Sequence, residues 1–150
     1  MTASAGPNAT PRPRDRAAAF CAKYGLRVPI LLAPMAGACP ASLSIAVANA
    51  GGMGAMGALV TKPDGIRAWV KEFRSAGNGP FQLNTWIPDP RPRRDAAAEA
   101  RVRAFLAAWG PEVEASAGDA GPPDFREQCE TFLELKPTAV SSIMGLFPPE

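Results

Sequence analysis

The chain has 150 residues, of which 47% are hydrophobic and 20% are charged, a composition that suits one globular domain and excludes a disordered chain. Its formal net charge of +2 gives no electrostatic argument for binding nucleic acid or an anionic membrane surface. The sequence contains no histidine, which excludes imidazole acid–base chemistry, imidazole metal ligation and any Ser–His or Cys–His nucleophile built from this chain alone.

The cysteines and the first residues bear on the cellular compartment. Cys21, Cys39 and Cys129 are odd in number and far apart, so they predict neither a disulfide framework nor a zinc site. Cys39 has no basic neighbour, and we expect it to be unreactive. Residues 1–16 have no apolar core of the kind found in signal peptides and are interpreted as a flexible N-terminal tail. These features predict a cytoplasmic protein.

One uncharged stretch, residues 28–61, is long enough to span a bilayer on length alone. Glycines and prolines interrupt it repeatedly, and much of the remainder is alanine. A spanning helix needs a longer unbroken apolar run, so we interpret the stretch as several short buried elements of an α/β protein.

The first half of the chain alternates helical and strand-like segments. In order, it predicts a helix over 15–24, a strand over 28–33, a helix over 40–50, a strand over 53–60 and a helix over 63–75. The first helix is expected to begin with an Asp15 cap and to end at a left-handed Gly25. The helix over 63–75 has apolar side chains at helical spacing, and Thr61 with Asp64 resembles a capping box before it.

The second half continues the alternation. It predicts a strand over 81–87, a helix with an apolar stripe over 95–109, a loop over 110–123, a helix that begins at Asp124 and a strand over 138–144. In the strand over 81–87, Phe81 and Leu83 lie on one face, and Gln82 and Asn84 lie on the other. Trp86 either fills the core or stacks on a ligand, and the core interpretation is preferred.

This order of strands and helices indicates parallel strands joined by right-handed crossovers. A doubly wound sheet and a (β/α)8 barrel both satisfy the pattern, which does not separate them. Residues 52–57 spell G-x-G-x-x-G, but a helix precedes them and a strand follows, the reverse of a dinucleotide-binding turn. We therefore interpret these glycines as positions where a strand packs closely.

Candidate ligand contacts lie at the ends of the predicted strands. Ala33, Pro34 and Met35 follow the first strand, at the edge where ligands bind in both parallel architectures, and they either contact a ligand or form a buried strand–helix turn. Asn84 lies within a strand, where its amide needs partners if it is buried. A cofactor amide, a phosphate or an internal hydrogen-bond network would supply them. Ser141 has the same position on the last strand.

Four segments together resemble one known family. They are VPILLAPMAGA (28–38), ANAGGMGAMGA (48–58), PFQLNTWIPDP (80–90) and AVSSIMGLFPPE (139–150). In this order they are similar to the nitronate monooxygenases, formerly called 2-nitropropane dioxygenases, and the resemblance covers about residues 17–150. It implies an FMN-dependent (β/α)8 barrel oxidoreductase that oxidises alkyl nitronates with O2.

The resemblance also implies a cofactor site. Ala33, Pro34 and Met35 after strand 1 and Asn84 on strand 3 would line the FMN, with Ser141 nearby. No catalytic residue and no metal ligand is implied within this chain, because the family's catalytic histidine and glycine-rich phosphate loops belong to the second half of the barrel. The implied partners are an alkyl nitronate and O2, with no nucleic acid and no membrane.

The length of the chain limits how many strands of a barrel it can supply. A closed barrel takes about 250 residues, and family members are about twice as long as this chain. We therefore interpret residues 17–150 as a partial FMN-binding domain: the N-terminal half of a (β/α)8 TIM barrel, with four parallel strands, intervening helices and a truncation after strand 4. Because its last strand leaves an open edge, we expect this half-barrel to self-associate and to be inactive alone.

Two other functions stay open at this point. FMN-dependent enoyl-acyl-carrier-protein reductases and NADH:quinone reductases share a similar strand–glycine–strand opening and would take a hydride from NAD(P)H. The WIPDP segment (86–90) favours the nitronate group, by resemblance only. The second alternative is an inactive half-barrel fragment or a small binding module.

Overall fold

The computed structural model describes residues 12–90 and 93–149. The helices are α1 (Pro13–Tyr24), α2 (Ala41–Asn49), α3 (Pro63–Ala76), α4 (Ala96–Leu106), a 3₁₀ helix (Ala115–Asp119) and α5 (Phe125–Leu135). The strands are β1 (Gly54–Gly57), β2 (Phe81–Trp86) and β3 (Ala139–Ile143). The alternating order predicted from the sequence is therefore confirmed except at the first of the four predicted strands, and the other elements differ from their predicted bounds by a few residues.

The three strands form one parallel sheet in the order β1-β2-β3. The predicted first strand, 28–33, is reduced to an isolated parallel bridge between Leu31 and Met53. The backbone around it explains why: Pro29 has no N–H to donate, and the Ile30 N–H donates to Val28 O in a local turn (2.8 Å). Only the short run around Leu31 is therefore free to pair with the strand beside it.

A hydrophobic core fills the space between one face of the sheet and the helices. Its buried residues are Ala48, Met56, Ala58, Ile66, Val70, Phe73, Phe81, Leu83 and Phe132. Phe81 and Leu83 of β2 face this core, as the alternation predicts. The Phe73 ring of α3 forms a cluster with two aromatic neighbours, with centroids 5.5 Å from Trp69 and 4.9 Å from Phe81. The opposite face of the sheet carries polar side chains.

The helix starts differ from the predicted caps. Helix α3 begins after Lys62 with no side-chain cap, so the predicted capping box between Thr61 and Asp64 is wrong. Pro63 occupies the first turn, where its fixed φ suits a helix and its missing N–H needs no cap. Asp64 instead forms an ion pair with Arg67 at 3.1 Å.

Helix α1 shows the same effect at its start. It begins at Pro13 with Arg12 as its N-cap residue, so Asp15 lies inside the first turn and does not cap it. The Asp15 carboxylate pairs with Arg12 Nε at 3.0 Å. Gly25 ends the helix in the left-handed conformation (φ 68°), as predicted. Of the segment interpreted as a tail, residues 1–11 lie outside the described residues.

The apolar stripe predicted over 95–109 is exposed. Asp95 caps α4 by accepting hydrogen bonds from two backbone N–H groups at 3.0 Å, but no residue of α4 is buried. The Phe105 side chain is 67% exposed. Within residues 12–90 and 93–149, no helix is both long and apolar enough to cross a bilayer.

Removing the Phe73 side chain is expected to destabilise the fold. Phe73 is 1% exposed and contacts aromatic rings on two sides, so Phe73→Ala should lower the free energy of unfolding by about 3–5 kcal/mol through lost burial and a cavity. Urea unfolding measures the change. Phe105→Ala is the matched control, because its ring is largely in solvent. Equal losses in the two variants would contradict the core described here.

Candidate functional site

The loop after the first strand packs closely against the end of β1. A Cβ atom on Gly57 would lie 2.6 Å from the Ala36 nitrogen and 3.0 Å from the Met35 carbonyl carbon. The loop is held by its own turn, in which Ala38 N and Cys39 N donate to Met35 O at 3.1 Å. The absence of a side chain at Gly57 therefore lets this loop reach the carboxyl end of the sheet.

Asn84 lies at the same end of the sheet. It pairs in register with Gly57 of β1 on one side and with Ser141 of β3 on the other. The residue is 3% exposed, and Asn84 Nδ2 donates to Ser141 Oγ at 2.9 Å. No donor among the described residues reaches Asn84 Oδ1. The two polar residues predicted as ligand contacts are thus hydrogen-bonded to each other, and the Asn84 Oδ1 acceptor has no hydrogen-bond partner among the described residues.

The hydrogen bonds continue from Ser141 across the sheet. Ser141 Oγ donates to Gln82 Oε1 at 3.0 Å, and Gln82 Nε2 donates to the Leu32 carbonyl at 3.2 Å. Gln82 is buried and was not among the predicted site residues. The period of two along β2 could have identified it, because Gln82 shares the face of Asn84.

The other predicted contacts, Ala33, Pro34 and Met35, lie in the loop that packs on Gly57. The Ala33 carbonyl accepts a hydrogen bond from Cys39 Sγ at 3.3 Å, and Met35 is exposed. No hydrogen bond joins these three residues to the polar side chains of β2 and β3 in the described part of the chain. They are therefore brought to the same edge of the sheet, without a hydrogen bond to these side chains.

A second set of buried amide contacts lies on the opposite face of β2. Thr85 Oγ1 donates to Gln128 Oε1 at 2.9 Å, and Gln128 Nε2 donates to the carbonyls of Ala58 and Thr61 at 2.8 and 2.9 Å. Gln128 of α5 thus holds the loop that follows β1. No sequence pattern indicates this role, because Gln128 is far from its partners along the chain.

A cavity of about 870 Å³ opens beside the carboxyl ends of β2 and β3. Trp86, Phe125 and Met144 are among its lining residues, and Trp86 is 43% exposed, so the prediction that Trp86 fills the core is wrong. The cavity does not include the loop after the first strand, Asn84 or Ser141. It opens at the same end of the sheet, and its lining includes Thr85 and Gln128, which lie on the face of β2 opposite to Asn84.

The basic residue in this cavity is already paired. Arg94 forms ion pairs with Glu99 and with Asp119, the latter at 2.7 Å, and it donates to the Gly118 carbonyl at 3.0 Å. The hydrogen bonds from Arg94 lower the pKa of Glu99 and raise that of the Arg94 guanidinium. Arg94 therefore ties the chain after β2 to the 3₁₀ helix, and its charge is already balanced by carboxylates.

Parallel strands, helices on one face and polar groups at the carboxyl edge define the N-terminal half of a (β/α)8 barrel. A solved structure supports this class. The crystal structure of nitroalkane oxidase from Streptomyces ansochromogenes matches with a TM-score of 0.71 and 30% identity, over 85% of this chain and 36% of that chain.

The sequence comparisons specify the family. The family model described as nitronate monooxygenase matches residues 19–150, and the chain belongs to this family. It is 34% identical over 128 residues to the nitronate monooxygenase of Paraburkholderia phytofirmans, covering 81% of this chain and 35% of that protein. It is 34% identical over 87 residues to the nitronate monooxygenase of Pseudomonas aeruginosa, covering 58% of this chain and 24% of that protein. The chain thus spans about a third or less of the length of these relatives.

A methyl group at Gly57 is expected to displace the loop after the first strand. Because the close atoms are backbone, Gly57→Ala should cost about 1–3 kcal/mol of stability and shift the amide resonances of residues 35 and 36. Urea unfolding and ¹⁵N NMR measure the two effects. Gly110→Ala is the control, since its added Cβ meets nothing within 4 Å. Unchanged resonances at residues 35 and 36 would contradict the close packing.

Proposed function

We propose that this chain forms part of the cofactor site of a flavin-dependent nitronate monooxygenase, which oxidises alkyl nitronates with O2 and FMN. One observation carries the proposal most directly. Asn84 is almost fully buried at the carboxyl edge of the sheet, yet its Oδ1 accepts no hydrogen bond from the described residues. In the described residues, every side-chain nitrogen or oxygen that is fully shielded from solvent has a partner, so the unpaired Asn84 Oδ1 keeps contact with the space at this edge, where a bound ligand would be its partner.

The residues present suit a flat heterocycle better than a phosphate. Asn84 offers a hydrogen-bond acceptor, and the loop formed by Ala33, Pro34 and Met35 offers small side chains and backbone groups close to the same edge. Ser141 holds the Asn84 amide in place. We propose that these five residues contact the isoalloxazine part of FMN. The phosphate would be bound elsewhere, because the basic residue of the neighbouring cavity, Arg94, is already paired.

These residue types suit binding of a cofactor, and the redox chemistry would come from the cofactor. When bound, FMN would supply the redox chemistry, taking electrons from the anionic nitronate and passing them to O2. This chain's residues would bind and orient the ring and exclude water from its edge. With no histidine in the sequence, we propose that no residue of this chain acts as the catalytic base.

Replacing Asn84 tests the proposed cofactor site. Asn84→Ala removes a buried hydrogen bond worth about 0.5–1.5 kcal/mol, so FMN affinity should fall about three- to tenfold. Flavin fluorescence titration of the complete gene product measures the affinity. Asn78→Ala is the matched control, because Asn78 is exposed and precedes the opposite end of β2. An FMN affinity unchanged by Asn84→Ala would place the flavin elsewhere.

Activity tests the proposed reaction separately. The complete gene product loaded with FMN should take up O2 when an alkyl nitronate is added, and the 150-residue chain alone should bind FMN weakly and show no turnover. An oxygen electrode measures the uptake. Flavin that is bound but not reduced by alkyl nitronates would contradict the nitronate assignment and leave the cofactor assignment intact.

We also propose that the 150-residue chain self-associates when it is isolated. β3 is an edge strand, and its Val140 and Ile143 side chains are exposed. An edge strand with apolar side chains is a template for pairing with a second copy. Size-exclusion chromatography with light scattering should therefore give a mass of at least a dimer. A monomer that unfolds cooperatively would contradict this proposal.

A further inference from the structure

We propose that Gln82 and Ser141 are positioning residues that orient the Asn84 amide, so that the site presents a hydrogen-bond acceptor and binds a ligand through an N–H or O–H group. The inference rests on the proposed function only where it names the flavin. The orientation itself follows from the hydrogen bonds that cross the sheet.

The direction of each hydrogen bond in this series is set from one end, the peptide carbonyl of Leu32. The Leu32 carbonyl can only accept a hydrogen bond, so Gln82 must turn its Nε2 towards it, as observed at 3.2 Å. The other end of the same amide, Gln82 Oε1, then faces Ser141 and can itself only accept. It receives the Ser141 hydroxyl proton at 3.0 Å. The single O–H of Ser141 is thereby used.

Asn84 is the last side chain in this series of hydrogen bonds. Because Ser141 Oγ has given its proton to Gln82, it can only accept from Asn84, and Asn84 must turn Nδ2 towards it, as observed at 2.9 Å. Asn84 Oδ1 is left as the group without a partner. The Leu32 carbonyl thus dictates the orientation of an amide two strands away, through Gln82 and Ser141.

This orientation restricts the chemistry of the ligand. A phosphate oxygen or a carbonyl would meet Asn84 Oδ1 as acceptor against acceptor, which is repulsive. An N–H or O–H group would donate to this unpaired acceptor. An oxidised isoalloxazine ring has one N–H, at N3, so FMN bound through this amide would present its N3–H to Asn84.

Hydrogen exchange of the side-chain amides tests the orientation without any ligand. In the 150-residue chain, the Asn84 NH2 group should exchange slowly by ¹⁵N NMR. In Gln82→Met, the Ser141 hydroxyl is free to donate to Asn84 Oδ1, the amide is no longer held, and its exchange should be about three- to tenfold faster. Ser142→Ala is the matched control, because that hydroxyl donates to Gly145 O instead, at 2.8 Å. Unchanged Asn84 exchange in folded Gln82→Met would overturn the proposal.

A second pair of variants keeps the test decisive if Gln82→Met does not fold. Ser141→Ala should speed Asn84 exchange and leave the Gln82 NH2 group protected by the Leu32 carbonyl, and Ser141→Thr should restore the slow exchange of Asn84. Backbone amide dispersion reports whether each variant is folded. Asn84 protection that survives in Ser141→Ala would overturn the proposal equally.

Two flavins test the ligand chemistry. In the complete gene product, FMN should shift the Asn84 amide resonance, and 3-methyl-FMN, which lacks the N3–H, should bind about three- to tenfold more weakly. Equal affinities for the two flavins would overturn the assignment of Asn84 Oδ1 as the acceptor of that proton. If neither flavin shifts any resonance, the proposed cofactor is wrong, and the exchange measurements still decide the orientation of the amide.

Discussion

Along β2, successive side chains must point to opposite faces of the sheet, and both the core and the candidate site depend on this period of two. Phe81 and Leu83 face the helices and are buried in the core. Gln82 and Asn84 alternate with them and face the other side of the sheet. There they take part in the series of hydrogen bonds from the Leu32 carbonyl through Ser141. A register shift of one residue would move the amides into the core and Phe81 and Leu83 to the site. Packing of the core therefore also fixes the face on which Gln82 and Asn84 lie.

The same strand is held on both faces by buried carboxamides. Gln82 bonds to the Leu32 carbonyl on one face, and Thr85 bonds to Gln128 on the other. Buried amides are costly unless their hydrogen-bonding groups are satisfied. In the described residues, side-chain nitrogen and oxygen atoms that are fully shielded from solvent all have partners. These contacts link distant segments of the chain at the carboxyl edge, where parallel α/β proteins bind ligands.

The site is built more by backbone placement than by reactive side chains. Gly57 has no side chain to separate β1 from the loop at Met35 and Ala36, so that loop reaches the edge where Asn84 lies. Charged residues lie elsewhere: Arg94 pairs with carboxylates beside the neighbouring cavity. Such an arrangement can bind and orient a cofactor, and it leaves the redox chemistry to the cofactor itself.

Local periodicity and backbone sterics were enough to predict the order of most elements, the core face of α3 and the left-handed stop at Gly25. It also selected Asn84 and Ser141 as polar residues on neighbouring strands. Three features could be established only from the folded arrangement: the first predicted strand is reduced to a bridge at Leu31, α4 leaves its apolar stripe in solvent, and Gln82 bonds to Ser141. Those outcomes depend on which segments meet in space, and contacts between residues some fifty positions apart leave no periodic trace in the sequence.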